Sequence, residues 1–133
     1  MLSTEMIVLG LSVVLLVVHI ALQGATVTRE RGTDWNMGAR DGAGAPLGVL
    51  AGRASRALDN YKETWPALIA MALALAVTGR TGGVGAVGAL VWLAARLVYI
   101  PLYLAGIPVW RTLVYVVSMA GLAMMVVRLF TGA

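Results

Sequence analysis

The sequence predicts an all-α membrane protein, a bundle of four transmembrane helices. Composition is the first sign: 60% of the residues are hydrophobic and only 12% are charged, where average soluble chains carry about 25% charge. Distribution is the second, because the apolar residues gather into four stretches, each near the ~20 residues that ~30 Å of hydrocarbon demands of a helix. The mean hydropathy of +0.89 is the third. One small soluble domain cannot hide that much apolar surface, so the excess must face lipid. A length of 133 residues allows a single domain and no separate soluble module.

The first stretch runs from about Met6 to Val27, interrupted by His19 and Gln23. With no basic region before it and no small-residue cleavage site after it, it reads as a retained helix rather than a cleaved signal. A polar segment rich in Gly, Arg and Asp follows, from Thr28 to Asp59. The second helix, about 57–78, opens on a polar shoulder at Asn60 to Thr64 and continues apolar through Val77. Thr78 to Gly83 is a Gly-rich turn. The third helix covers about 84–104 and holds Arg96; the fourth covers about 109–130. The link Ala105-Gly106-Ile107-Pro108 is a compact turn, so the last two helices are antiparallel neighbours. Small residues recur from Gly79 to Ala89. They suit close helix approach and equally reflect the ordinary abundance of Gly and Ala in membrane helices.

Charge sets the expected orientation. Nine of the ten basic residues are Arg. Arg29, Arg31, Arg40, Arg53, Arg56 and Lys62 flank or occupy the first connection, whereas the second carries only Arg80. The positive-inside rule therefore places the first connection and the 105–108 turn in the cytoplasm, with both termini outside. Arg128 dissents, near the outer end of the last helix. In this setting the net charge of +4 marks cytoplasmic loops rather than a nucleic-acid partner. The absence of cysteine excludes disulfides, thiolate metal sites and a cysteine nucleophile, and one histidine cannot build a histidine-rich metal site.

Ionisable residues within a membrane are costly and ask for a partner or a purpose. Arg56, Asn60 and Glu63, at offsets of four and seven, share one helix face. Arg56 and Glu63 can pair with each other, or serve as complementary halves of a site for a zwitterionic ligand. Arg96, Tyr99 and Tyr103 define a face of the third helix, with Arg111 and Tyr115 at the start of the fourth. Tyrosines near helix ends are commonly interfacial, and Arg111 can snorkel to headgroups. Arg96, about a dozen residues into an apolar span, needs a buried acid or carbonyl, with Glu63 the obvious candidate. His19 and Gln23 suit hydrogen bonding across to another helix better than proton handling.

The run from Arg53 to Pro66 reads RxxRAxxNxxExxP, and Arg96, Tyr99, Tyr103 and Arg111 read RxxYxxxY…R. These ordered motifs resemble the MAPEG family, the membrane-associated proteins in eicosanoid and glutathione metabolism, over the whole four-helix plan. The resemblance implies a homotrimer of four-helix bundles, in the bacterial inner membrane for a bacterial-type member, with glutathione as co-substrate between neighbouring subunits near the cytoplasmic face. It implies that Arg56, Asn60 and Glu63 hold the charged ends of the tripeptide, that Tyr99 and Tyr103 add hydroxyl contacts, and that Arg96 braces the site. It further implies that Arg29 approaches from the end of the first helix, and that Arg111 stabilises the thiolate as the catalytic residue. The expected activity is that of a glutathione transferase or peroxidase acting on a lipophilic electrophile or hydroperoxide. Thr64, where several catalytic members carry tyrosine, Leu58, the eight-residue step from Tyr103 to Arg111, and Pro101 all depart from the pattern. A non-catalytic protein of the same fold that binds lipid or a partner is the alternative. A proton-coupled exporter fits less well, because it needs an acid deep in the bilayer and Glu5 and Glu63 both lie at helix ends.

Overall fold

The computed structural model describes residues 1–42 and 44–132. Its elements are α1 (Thr4–Arg31), α2 (Thr33–Met37), α3 (Val49–Val77), α4 (Gly83–Ala105) and α5 (Pro108–Thr131). Four of these helices are long and α2 is a single short turn-length segment. Three of them, α1, α4 and α5, are long and apolar enough to cross a membrane. The other, α3, has the length, but its first half carries Arg53, Arg56, Asp59, Lys62 and Glu63.

The connection expected over Thr28 to Asp59 is more helical than its composition suggests. α1 continues to Arg31, where Gly32 at φ +87° breaks the path before α2. That backbone angle is strained for any residue with a Cβ. α3 begins at Val49, eight residues before the expected start at 57. Its first turns are packed through the small residues Ala51, Gly52, Ala54 and Ala57, all buried. Methyl-sized side chains bury little area, so they register weakly as a hydrophobic stripe. α4 runs unbroken through Pro101, and α3 through Pro66.

The main core gathers Val8 and Leu15 from α1, Tyr61, Leu68, Ala72 and Leu75 from α3, Trp92 and Leu93 from α4, and Met125 from α5. Leu11, Val14, Val18, Leu97, Val116 and Val127 face outward, as lipid-facing residues should. The most extensive interface joins α4 to α5. At its centre Gly88 and Gly121 meet backbone to backbone: a Cβ on Gly88 would stand 2.5 Å from the Gly121 carbonyl oxygen, and one on Gly121 would stand 2.8 Å from the Trp92 nitrogen. Close approach is thus what Gly88 contributes, whereas Gly79 and Gly82 serve the turn between α3 and α4. Gly88→Ala is expected to cost about 1–3 kcal/mol by overpacking and to lower the thermal midpoint in detergent. Gly10→Ala, with nothing within 4 Å of the added Cβ, is expected to be neutral or to gain up to about 1 kcal/mol from helix propensity. Equal midpoints for the two variants would refute the seam.

Both ends of the bundle are tied by charge to backbone. At one end Arg53 Nη1 donates to the Leu104 carbonyl at 3.0 Å, a cation on the exposed carbonyls of a helix C-terminus. Its guanidinium lies where a Cβ on Gly106 would be, and Gly106 itself takes φ +74°. At the other end Arg128 donates to the carbonyls of Arg80 (2.9 Å) and Thr81 (3.1 Å), and Arg80 donates to that of Leu129. There too the fully buried Glu5 accepts from the Gly82 amide at 2.7 Å, just before α4. A carboxylate is favourable at a helix N-terminus.

Candidate functional site

Arg96 is the centre of the polar interior. It is 1% exposed, and its partners come from α3: Nη1 donates to Asn60 Oδ1 at 2.7 Å and Nη2 donates to Thr64 Oγ1. Asn60 and Thr64 are one helical turn apart, which sets both acceptors on the face turned to α4. Aromatic rings enclose the guanidinium, with the centroids of Tyr99 and Tyr115 each at 5.3 Å and that of Trp92 at 5.9 Å. Such faces attract a cation within about 6 Å.

The expected partnership of Arg96 with Glu63 is corrected here. Glu63 lies on the outward side of α3 and is exposed, and among the described residues it forms no ion pair. Residues 63 and 64 diverge by about 100° around a helix, so when Thr64 faces α4 its neighbour cannot. Nor do Arg56 and Glu63 pair with each other. Lys62 with Asp59, at 2.8 Å, is the only salt bridge among the described residues. Arg56 is exposed on the same outward side as Glu63, with Asn60 at its inner edge.

The other motif residues fall into place around Arg96. Tyr99 and Tyr103 are buried with Ala57, their ring centroids 5.3 Å apart, and Val114 and Tyr115 of α5 pack against them. Arg111, half-buried on the first turn of α5, sets its guanidinium 4.8 Å from the centroid of Tyr103. The eight-residue step from Tyr103 therefore does not prevent Arg111 from reaching this cluster. Arg29 stands apart, exposed on the last turn of α1, with no hydrogen bond or ion pair to the cluster among the described residues.

Beneath Arg96 lies a second polar layer that residue spacing did not reveal. The Tyr61 hydroxyl donates to the Ser12 carbonyl at 2.6 Å, and Trp65 Nε1 donates to Ser12 Oγ at 2.8 Å. The expected cross-helix hydrogen bond of His19 is not the observed contact. Its ring packs on Tyr61, centroids 4.7 Å apart, while Nε2 has no partner among the described residues. Gln23 lines a separate cavity at the end of α1. Ser12, a polar residue on the buried face of an apolar span, was the available signal for this layer.

An apolar groove of about 320 Å³ runs between α4 and α5, lined by Val91, Ala94, Val98, Val114 and Val117. Val114 is one turn from Arg111 on the same helix. The groove thus leads from a lipid-facing surface toward the charged end of the cluster.

The MAPEG family model matches residues 8–131, nearly the whole chain. The chain belongs to the MAPEG family. No curated protein and no solved structure matches it. MAPEG proteins include glutathione-dependent transferases and peroxidases, and the two motifs lie on α3 and on the α4–α5 hairpin, which meet at Arg96.

Proposed function

We propose that this MAPEG protein is a glutathione-dependent membrane transferase or peroxidase, assembled as a homotrimer of four-span subunits. One observation carries the reading: Arg96 is a buried cation whose hydrogen-bond partners, Asn60 and Thr64, are both neutral, and whose Nε is unpartnered among the described residues. Burying an uncompensated charge is expensive. An anionic ligand beside it relieves that cost, and glutathione brings two carboxylates and one ammonium. Arginine forks suit the carboxylates, and Glu63 suits the ammonium.

Depth supports the trimer. Arg96 lies about 13 Å along α4 from Ala105 at 1.5 Å per residue. Glu63, beside its partner Thr64, lies in the middle of α3 rather than at the helix end expected from the sequence. A carboxylate that far from the helix end is too costly to leave against lipid. A neighbouring subunit and the ligand between them would cover Glu63 and Arg56 together. The same packing would shelter the polar half of α3, so that α3 serves as the fourth span. The arginine-rich end then lies in the cytoplasm, both termini lie outside, and a bacterial inner membrane is the compartment.

In this reading Arg56, Asn60, Glu63 and Arg96 hold the ends of the tripeptide. Tyr99 and Tyr103 wall the site, and Arg29 reaches it only from an adjoining subunit. Arg111 stands nearest the open rim. A guanidinium beside the ligand's sulfur favours the thiolate, which is the nucleophile. The groove beside Val114 delivers a lipophilic electrophile from the bilayer, and attack of the thiolate on its carbon expels a leaving group such as halide. Attack on a hydroperoxide oxygen instead breaks the O–O bond, releases the alcohol, and leaves a sulfenic acid that a second glutathione converts to the disulfide and water. That groove also supports the second reading, a lipid-binding protein without turnover.

Titration calorimetry of the purified trimer with reduced glutathione tests the proposal, with conjugation of chlorodinitrobenzene as the activity. Saturable heat and turnover are expected. Absence of both, with lipid retained in the groove, selects the second reading.

A further inference from the structure

The end of α1 carries a cavity of about 300 Å³ that the cluster around Arg96 does not use. It lies at the lower limit of small-molecule pockets, roughly 300–1,000 Å³. Two guanidiniums address one indole there: Arg31 stands 4.3 Å and Arg40 5.5 Å from the centroid of Trp35. Both arginines are held in place. Arg31 donates through Nε to the Ala45 carbonyl at 2.9 Å, and Arg40 donates to the Asn36 carbonyl (2.7 Å) and to Asn36 Oδ1 (2.6 Å). Neither is neutralised, because all of these acceptors are uncharged. Arg40 holds its position with φ +58°, an uncommon backbone angle for a non-glycine residue. Gln23 and Asn36 add polar lining, and no acidic side chain lines the cavity among the described residues. Asp34 and Asp41 are close in sequence but do not line it.

The remaining wall is apolar, with Ile20, Val27 and Leu47. Ile20 is itself exposed on the part of α1 that faces lipid. A site with fixed cations at the helix end and an apolar wall descending along a membrane-crossing helix matches an amphiphile with an anionic head. We propose that this cavity binds the phosphodiester headgroup of an anionic membrane phospholipid, with the acyl chains lying along α1. The phosphate would sit between the free donors of Arg31 and Arg40, where forked donors suit its geometry. The glycerol portion would reach Gln23. Charged juxtamembrane pockets are suited to such lipids because the surrounding leaflet is anionic.

Full-length protein in lipid nanodiscs, studied by native mass spectrometry and by titration with short-chain phosphatidylglycerol, phosphatidylcholine or inorganic phosphate, provides the test. Phosphatidylglycerol is expected to bind about tenfold tighter than phosphatidylcholine, a difference of one good charged contact. Arg40→Gln is expected to remove that preference. It leaves the Arg31–Ala45 clasp intact, so a folding failure is not its expected outcome. Arg31→Gln should act in the same direction but loosens the clasp. Lys62→Gln, which removes an equal charge from the exposed face of α3, is expected to keep the preference. A preference that survives Arg40→Gln, or that disappears equally in Lys62→Gln, overturns the site. Inorganic phosphate binding as tightly as phosphatidylglycerol overturns the lipid assignment.

Discussion

Replacing Arg96 with methionine is expected to abolish glutathione binding while leaving the helices folded. Most buried side chains in a membrane bundle could not be exchanged so selectively. A buried charge, however, contributes little net stability, and apolar groups of similar volume commonly replace one at no loss or with a gain. The cost lies in Asn60 Oδ1, which loses the donor it has at 2.7 Å, a penalty of about 1–3 kcal/mol for an unsatisfied buried acceptor. Thr64 is less affected, since its hydroxyl also lies 3.4 Å from the carbonyls of Asn60 and Tyr61. Thermal unfolding followed by tryptophan fluorescence should therefore shift modestly, while calorimetry with glutathione shows no saturable heat. Undiminished binding in a folded Arg96→Met protein would remove the argument from uncompensated charge on which the proposed function stands.

Arg111→Ala is the second large effect, and its signature is kinetic. A group that stabilises charge developing in the reaction contributes about 10²–10³ in kcat, so turnover should fall by that order while glutathione affinity changes far less. The pH profile gives a more specific sign. A guanidinium near the sulfur favours the thiolate and holds the ligand's thiol below its ordinary value of about 8.5. Removing it raises that value, so the rising limb of activity moves to higher pH, and Arg111→Lys moves it part of the way back. Arg111 is half-buried, with its guanidinium over the ring of Tyr103. Unchanged turnover in Arg111→Ala would reassign that side chain to headgroup contact.

The long helices were legible in the sequence because hydrocarbon imposes a minimum apolar length, and no other physical requirement writes so plain a pattern. The start of α3 was not, because Ala51, Ala54 and Ala57 bury backbone-sized surfaces that resemble the composition of a loop. The cluster around Arg96 was legible as residues that share helix faces but not as a set of contacts. Arg96, Tyr99 and Tyr103 do share a buried face of α4, and Arg111 and Tyr115 do meet them from α5. The rotation of α3 was hidden, since polar residues occur on both of its sides from Arg56 to Thr64 and periodicity cannot choose between them. That is why Thr64, not Glu63, receives Arg96. Glu5 was equally hidden: its partner Gly82 is 77 residues away, and a lone acid near the N-terminus gives no hint of a helix end waiting for it.

Biogenesis has to bridge that same distance. The ribosome delivers α1 long before Gly82 exists, so Glu5 meets the translocon and the nascent bundle with its carboxylate unclaimed. α4 and α5, by contrast, are adjacent in the chain and close their Gly88–Gly121 seam as a hairpin once the last helix has emerged. A chain that stops before residue 82 lacks the amide that Glu5 accepts from, and so carries a buried-face acid with that partner missing.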